Sequence, residues 1–293
     1  MAFHFRIENG RVSIAEKAPA TPDKVPIWRP PLYQKFLTHV VESFCPDLTT
    51  DLLVHVGDGG LGNERVPILA FQKPHDTNPL LLPDVDLLEA DFFEGPHTFD
   101  DQLVFFEKDT SAVFVGATSG MRIDEDVVRY LRLPRLRSAM FFKDNPRVDF
   151  RLPVLDNVVS DGAREMLVRM GFGLGNRLTY EEQLRHKFII SMDGFGATCS
   201  RVATSLMSNS VLLKYDSPHR LFYFHGLKEW IHYVPISEDR DVLTVIRMEE
   251  ENRGLFALIA QQGQDFFRTY LVRSAAARYT ALLLGLYAGL FHG

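Results

Sequence analysis

A glycine-rich segment between two apolar runs carries the clearest chemical signal in the chain. The segment reads Asp193-Gly-Phe-Gly-Ala-Thr-Cys-Ser-Arg201 and follows the β-rich run Phe188–Met192. Glycines allow the backbone to approach a ligand closely, and the free N–H groups at the start of a helix attract anions. Thr198 and Ser200 could donate from their hydroxyl groups, and Arg201 could bind a phosphate through two hydrogen bonds. The pattern favours a phosphate-binding turn, the alternative being an ordinary glycine turn with a capped helix.

Polar residues also lie at or beyond other predicted strands. The strand Val211–Tyr215 contains Lys214 near its end, and Ser217 follows it. Ligands of open α/β sheets bind beyond the carboxyl ends of the strands, which favours a ligand contact for both residues. His232 and Tyr233, in a later extended run, are further candidates. The alternatives are a solvated lysine and a hydrogen-bonded core histidine.

Asp-x-Asp triplets begin at Asp84, Asp124 and Asp239, and such triplets could hold a divalent metal on a diphosphate. A chain with 38 acidic residues produces triplets readily by chance, so we expect no metal site. The sequence has no His-Glu-x-x-His, Cys-x-x-Cys, Gly-x-Ser-x-Gly or phosphate-loop motif. Their absence argues against zinc sites, serine-elbow hydrolases and P-loop enzymes.

The elements that must position these residues alternate between strands and helices. Phe188 to Tyr215 predicts a strand, a glycine turn, a helix and a second strand, which is a βαβ unit with parallel strands. Further strands are predicted at Val66–Phe71 and Ala112–Gly116, and one long helix at Val242–Phe267. Such alternation is typical of the α/β class. The proline-punctuated residues 1–30 predict an irregular lead-in.

Composition limits the partners and the location of the protein. The net charge of −6 argues against nucleic acid as the main partner. Charged side chains interrupt the start of the chain, which therefore lacks a signal-peptide pattern, and the two cysteines fit a reducing compartment. We expect a cytoplasmic protein. The apolar run Ala275–Phe291 is short for a membrane span and predicts a core or interfacial helix.

Several blocks of the sequence resemble glycosyltransferase family 90. Lys187-Phe-Ile-Ile-Ser-Met-Asp-Gly-Phe-Gly-Ala-Thr-Cys-Ser-Arg201 is similar to the donor-site signature of that family, and the likeness continues through Asn209–Ser217. The most specific block is Phe222-Tyr-Phe-His-Gly-Leu-Lys-Glu-Trp-Ile-His-Tyr-Val-Pro235. Ala112-Val-Phe-Val-Gly-Ala-Thr-Ser-Gly120 resembles the first strand of the donor domain. The family includes Rumi-like protein O-glucosyltransferases, capsule xylosyltransferases and bacterial lipopolysaccharide glycosyltransferases.

The resemblance implies a GT-B architecture, in which two Rossmann-like domains face a cleft. We expect an acceptor-side domain at residues 1–108, a donor domain at 109–274, and a helix at 275–293 that packs back across the domains. The implied reaction is inverting transfer from a UDP-sugar, which is a co-substrate, with no cofactor and no metal. The implied donor-binding residues are Gly116, Thr118, Ser119, Asp193, Gly194, Gly196, Thr198, Ser200, Arg201, Lys214, Ser217, His232 and Tyr233.

The sequence departs from the family pattern in the donor half. Ser200 stands where eukaryotic members have arginine, and Arg201 follows it, as expected of bacterial members. Arg220 and Leu221 stand where the family often has an acid, which removes a ribose-binding carboxylate.

The general base also departs from the pattern. In Rumi-like members an aspartate lies four residues before the proline that matches Pro83, and Pro79 occupies that place here. The nearest carboxylates, Asp76 and Asp84, are therefore the candidates for taking the proton of the acceptor hydroxyl. The alternative for Asp76 is a helix cap or a loop acid hydrogen-bonded to its neighbours.

The expected acceptor is a glycan, a lipopolysaccharide or a capsule precursor at the cytoplasmic face of a membrane, with possible peripheral membrane contact through the apolar tail. A non-catalytic nucleotide-sugar-binding protein on the same fold is the alternative function. A metal-dependent GT-A transferase that uses one Asp triplet is a third possibility.

Overall fold

The structure is a computed structural model, and it describes residues 2–17, 28–58, 61–95, 100–197 and 199–290. The strands are β1 (Ala2–Glu8), β2 (Arg11–Lys17), β3 (Thr50–His55), β4 (Leu69–Ala70), β5 (Lys73–Pro74), β6 (Leu80–Leu81), β7 (Asp109–Ala117), β8 (Val148–Val154), β9 (His186–Ser191), β10 (Val211–Tyr215), β11 (His219–Arg220) and β12 (Val234–Ile236). The helices are α1 (Arg29–Phe44), α2 (Val85–Glu89), α3 (Glu125–Arg129), α4 (Pro134–Phe142), α5 (Asp161–Arg169), α6 (Tyr180–Gln183), α7 (Cys199–Met207), α8 (Asp239–Glu251), α9 (Ala257–Tyr270) and α10 (Arg273–Gly289).

The chain divides into two compact units, and neither unit is one continuous segment. Unit 1 contains Met1–Phe99, Pro218–Gly226 and Arg268–Gly293. Unit 2 contains Asp100–Ser217 and Leu227–Phe267. The domain boundaries at 108 and 274 stay predictions, as does the packing of the last helix across the domains.

Unit 1 is built on a mixed sheet with the strand order β2-β1-β3-β4-β6. The strands β3, β4 and β6 are parallel to their neighbours, whereas β1 pairs antiparallel with both β2 and β3. The helices α1 and α10 pack against each other in this unit. Tyr33, Phe36 and Leu37 of α1 are among its buried residues.

The prediction of an irregular lead-in is wrong for residues 2–17. Asn9 and Gly10 have φ values of 49° and 74°, the left-handed conformations that a two-residue hairpin turn requires. Phe3, Phe5 and Ile7 alternate with polar residues and are buried, which fits a half-buried strand. The rest of the predicted lead-in lies largely outside the described residues.

Unit 2 is built on a fully parallel sheet with the strand order β12-β10-β9-β7-β8. Helices separate β7, β8, β9 and β10 along the chain, so the α/β class is confirmed. The predicted βαβ unit is also confirmed, since β9 and β10 pair in parallel and α7 connects them. One face of this sheet contributes Phe114, Phe188 and Leu213 to a hydrophobic core. No helix in the described part of the chain is both long and apolar enough to cross a membrane.

The single helix predicted at Val242–Phe267 is wrong, because α8 and α9 are separate helices. Gly254 lies between them with a φ of 91°, which α-helical residues do not adopt. The predicted strand at Val66–Phe71 is shorter than expected, since β4 covers Leu69–Ala70 alone.

Candidate functional site

The carboxyl ends of the parallel strands in unit 2 bring most predicted donor residues to one edge of the sheet. This edge is where ligands bind in open α/β sheets. Thr198 lies outside the described residues. The residues at this edge are Gly116, Thr118 and Ser119 around the end of β7, Asp193, Gly194, Gly196, Ser200 and Arg201 after β9, and Lys214 and Ser217 around the end of β10.

Arg201 lies in the first turn of α7 and reaches across the end of β7. Its Nη2 atom donates to the carbonyl oxygen of Val115, and its guanidinium carbon lies 4.4 Å from the centre of the Phe114 ring. A Cβ atom on Gly116 would lie 2.9 Å from that ring and 3.4 Å from Nη2, so glycine makes this approach possible. Burial lowers the pKa of Arg201 to about 10, which leaves it cationic at neutral pH. It forms no ion pair with any described carboxylate.

Arg135, on α4, is a second buried arginine at this edge, and the sequence analysis missed it. Its side chain is 6% exposed, and Nε donates to the Asp193 carbonyl oxygen at 3.0 Å while Nη2 donates to that of Met192 at 2.7 Å. Nη1 donates to the Ala117 carbonyl oxygen at 3.0 Å and to Ser119 Oγ at 2.7 Å. Arg135 therefore fastens the end of β7 to the end of β9.

The two arginines concentrate positive charge at the sheet edge. Burial lowers the pKa of Arg135 to about 9, and the charge of Arg201 lowers it further in the same direction. Two guanidinium groups that repel each other are stabilised by an anion placed near both. The helical spacing of the sequence could have indicated that Arg135 is buried, since it occupies the same helical face as the buried Ala139 and Phe142.

Side-chain hydrogen bonds hold the glycine turn in place. Ser217 Oγ donates to Asp193 Oδ2 at 2.5 Å, which ties the segment after β10 to the turn after β9. A Cβ atom on Gly194 would clash with Ser119 Oγ, so a larger residue here would have to displace the Ser119 side chain. Thr118 is fully buried and exchanges hydrogen bonds with the backbone of Asp156. That bonding makes Thr118 a structural bridge between the ends of β7 and β8.

The remaining predicted residues are His232 and Tyr233, and Tyr233 lies near Lys214 of this edge. Lys214 Nζ is 5.9 Å from the centre of the Tyr233 ring. His232 and Tyr233 come before β12, at its amino end, so the topology does not place them at the carboxyl edge. The N–H of Lys228 donates to His232 Nδ1 at 3.0 Å, and the imidazole contacts Phe266. Burial, followed by the nearby Lys228 charge, lowers the pKa of His232.

The Asp-x-Asp triplets lie at the starts of helices. Asp84 accepts from the N–H of Leu87 at 3.0 Å and caps α2, and Asp124 caps α3 in the same way. Asp239 Oδ1 accepts from Ser138 Oγ and from the Tyr215 hydroxyl, each at 2.6 Å. No group of three or more metal-ligating side chains occurs within the described ranges. Two of the triplets thus begin with a helix cap, and the third begins with an aspartate that accepts hydrogen bonds from residues distant in sequence.

Three aspartates of unit 1 lie after its strands. Asp58 follows β3, Asp76 follows β5, and Asp84 follows β6. Asp76 is 93% exposed, and its Oδ1 lies 2.5 Å from His75 Nδ1, so it is a turn residue and not a helix cap. Asp84 is 0% exposed, and its Oδ2 atom is buried with no hydrogen-bond partner. Burial, with a smaller effect of Asp86, raises the pKa of Asp84 to about 7.

Asp58 is the third carboxylate, and the sequence analysis missed it. It follows β3 at the carboxyl edge of the parallel strands, and its side chain is 58% exposed. Arg29 Nη1 lies 2.8 Å from its Oδ1 atom. The signal was available, because an acid directly after a buried strand lies at a sheet edge.

Comparison with known proteins assigns the family. The sequence model of the family described as glycosyl transferase family 90 matches residues 132–292, which is more than half of the chain. Protein O-glucosyltransferase 3 of Homo sapiens is 24% identical over 234 residues, which cover 77% of this chain and 44% of that protein. Protein O-glucosyltransferase 2 of Danio rerio is 24% identical over 257 residues, covering 84% and 48%.

A third relative has a similar sequence identity and a similar coverage. The O-glucosyltransferase rumi homolog of Anopheles gambiae is 24% identical over 247 residues, covering 78% of this chain and 57% of that protein. The chain spans about half the length of these curated relatives. The match to residues 132–292 contains Arg135, the glycine turn and Arg201. The chain belongs to glycosyl transferase family 90.

Proposed function

We propose that the protein transfers a hexose or pentose from a UDP-sugar to an acceptor hydroxyl. The observation that carries this proposal is the pair of buried cations, Arg135 and Arg201, beside a glycine turn at the carboxyl edge of a parallel sheet. A nucleotide sugar presents a diphosphate, and buried guanidinium groups suit a diphosphate because they remain charged and bind oxygens through several hydrogen bonds. Family membership supports the transferase class.

The proposed reaction is a single displacement with inversion. A carboxylate of unit 1 takes the proton of the acceptor hydroxyl, the hydroxyl oxygen bonds to the anomeric carbon, and the bond to the diphosphate oxygen breaks. UDP leaves with the bonding electrons, and Arg135 and Arg201 stabilise its developing charge. We propose a GT-B enzyme on this basis, with the donor residues in unit 2 and the general base in unit 1.

The acceptor is proposed as a glycan or a lipopolysaccharide-type molecule, reached at the cytoplasmic face of a membrane. The relatives are named protein O-glucosyltransferases, so a protein hydroxyl is the competing acceptor that the experiment must include. A panel of UDP-sugars assayed with glycan, lipid-linked and protein acceptors separates these classes. Binding of UDP without transfer or hydrolysis of any UDP-sugar would instead favour the non-catalytic alternative.

Replacing Arg201 with alanine should weaken UDP binding by about 1.5–3 kcal/mol, the usual contribution of a hydrogen bond to a charged group. Calorimetric titration with UDP measures this effect. The matched control is Arg169→Ala, since Arg169 is an exposed arginine of the same unit, 77% exposed and paired with Glu165. Because Arg201 also binds the Val115 carbonyl, a thermal melt must show that the variant folds. Unchanged UDP affinity in a folded variant would place the donor elsewhere.

Activity should survive EDTA, because buried arginines take the charge-stabilising part that a metal plays in other transferases. Asp239→Asn should leave turnover nearly unchanged, since an amide keeps one oxygen that can accept from Ser138 and Tyr215. Turnover with and without chelator measures both effects. Loss of activity on chelation, followed by recovery with manganese, would favour the metal-dependent alternative.

A further inference from the structure

Three leucines form an exposed row on α10 and directly after it. Leu282, Leu286 and Leu290 are 73%, 74% and 63% exposed. They are four residues apart, and Leu290 keeps helical φ and ψ angles of −68° and −20°, so the three side chains share one helical face. We call this row the leucine face. Contiguous apolar surface of this kind marks a site of contact with a protein or a membrane.

The opposite side of α10 is fixed to unit 1. The Tyr279 hydroxyl donates to the Leu81 carbonyl oxygen at 2.7 Å. The Tyr287 hydroxyl donates to the Pro67 carbonyl oxygen at 3.1 Å, and Leu284 between the two tyrosines is fully buried. Rotation of the helix would break both hydrogen bonds and expose the buried leucine. The leucine face therefore stays on the surface because the other side of α10 is already bound.

The charged residues of α10 are both arginines. From Arg268 to Leu290 the sequence contains three arginines and no aspartate or glutamate. Arg278 is exposed and lies four residues before Leu282, so it continues the row of the leucine face. Arg273, in the first turn, is paired with two acids of unit 1. The leucine face thus carries a positive charge at the end where Arg278 lies.

A segment of unit 1 lies beside the other end of the leucine face. Val66 is 51% exposed and precedes Pro67, whose carbonyl oxygen accepts from Tyr287. Arg65 is exposed as well, whereas the neighbouring Glu64 is half-buried. This contact brings a further apolar residue and a second arginine close to the last turn of α10.

The composition of this surface favours a lipid over a protein partner. The residues that dominate protein interfaces are mostly tryptophan, tyrosine and arginine, and leucine is under-represented among them. Leucines flanked by arginines are instead typical of helices that lie in a membrane interface. An arginine can extend its guanidinium group to the anionic head groups while the apolar side chains enter the acyl layer.

We propose that the leucine face is a peripheral membrane-binding site for an anionic lipid surface. The leucines enter the boundary of the acyl chains, and Arg278 and Arg65 contact the head groups. Because its other side is bound to unit 1, α10 lies along the membrane surface. The site uses no residue of the donor edge, so it does not depend on the proposed function.

The experiment measures cosedimentation of the whole protein with two kinds of vesicle, phosphatidylcholine alone and phosphatidylcholine mixed with phosphatidylglycerol in equal parts. The wild type should bind the anionic vesicles more tightly. Leu286→Ser should lower the partition coefficient for them about tenfold, because one leucine side chain no longer enters the acyl layer. Arg278→Gln should lower it about fivefold and leave binding to phosphatidylcholine unchanged.

The matched control is Leu258→Ser, since Leu258 is 61% exposed and lies in the first turn of α9, outside the leucine face. Its vesicle binding should equal that of the wild type, and an equal loss in the control would overturn the proposal. Thermal melts show whether each variant folds, and Leu282→Ser tests the same face if Leu286→Ser does not. Wild-type protein that binds neither vesicle, or both equally, would overturn the anionic lipid surface. A dimer in sedimentation velocity that Leu286→Ser dissociates would assign the face to a second copy instead.

Discussion

Exchange of the general base for its amide should lower kcat by about 10²–10⁴ while UDP-sugar binding stays intact. Asp58→Asn, Asp76→Asn and Asp84→Asn test the three carboxylates of unit 1. A base must be accessible to the acceptor hydroxyl, and the side chains of Asp58 and Asp76 are 58% and 93% exposed, whereas Asp84 is buried. Asp58 is in addition held by Arg29, which gives its carboxylate a defined position. Steady-state kinetics with calorimetric UDP binding separates loss of chemistry from loss of binding.

The control for this series is Asp51→Asn. Asp51 is a half-exposed acid of the same unit, paired with Arg6, and it lies near the amino end of β3, away from the carboxyl edge. Its substitution should leave kcat unchanged. If the three test variants all keep wild-type turnover, the proposed assignment of the base to unit 1 is wrong.

For Asp84, the dependence of protein stability on pH is a second measurement, and it distinguishes a structural carboxyl group from a general base. Its folded-state pKa of about 7 exceeds the ordinary value of 3.8 because the group is buried. The folded state therefore holds the proton more tightly, and Asp84 lowers stability progressively as pH rises from about 4 to 7. Asp84→Asn should remove this loss, so the melting temperature of the variant should exceed that of the wild type most clearly above pH 7.

Breaking the ion pair between Lys187 and Glu249 should lower the free energy of unfolding by about 3–5 kcal/mol. Lys187 Nζ lies 2.7 Å from Glu249 Oε1, and the two side chains are 2% and 0% exposed. Glu249 also accepts from the N–H groups of Gly254 and Phe256. Glu249→Gln leaves a buried ammonium group without its counter-charge, which is the main cause of the expected loss. Urea unfolding measures it.

A double-mutant cycle tests whether the loss comes from the pair. Lys187→Met combined with Glu249→Gln should cost less than the two single changes added together, because no charge is left buried alone. Glu165→Gln is the matched control, since its ion pair with Arg169 is exposed and should contribute little. Additive losses in the cycle would show that the buried pair is not an energetic unit.

Local patterns in the sequence were sufficient to predict the central part of unit 2. The strand, glycine turn, helix and strand from Phe188 to Tyr215 are confirmed. Thr179, a residue type that favours helix starts, is the N-cap of α6. These features depend on neighbouring residues, so hydrophobic runs and capping residues reveal them. The β1–β2 hairpin has a local signal too, in Asn9-Gly10, but the prolines that follow it in sequence are typical of irregular structure.

Features that depend on distant residues were not predictable in this way. Arg135 contacts Asp193, 58 positions away in sequence, and no short motif records that contact. The burial of Asp84 likewise depends on tertiary packing, which its sequence neighbours do not reveal. Of the predicted donor residues, those that directly follow strands converge at one edge because parallel topology forces them to do so. His232 and Tyr233 precede β12 and do not directly follow a strand.

The interrupted course of the chain through unit 1 sets an order of completion during synthesis. The ribosome makes β1 to β6 and α1 first, yet α10, which packs on α1, emerges only after all of unit 2. Until then the surface of α1 that α10 covers stays open, and unit 2 has all of its residues earlier than unit 1. Domains generally fold as units in the order in which they emerge. In this chain the unit that starts first is the one that must finish last, because its sheet is made early whereas α10 is made after unit 2.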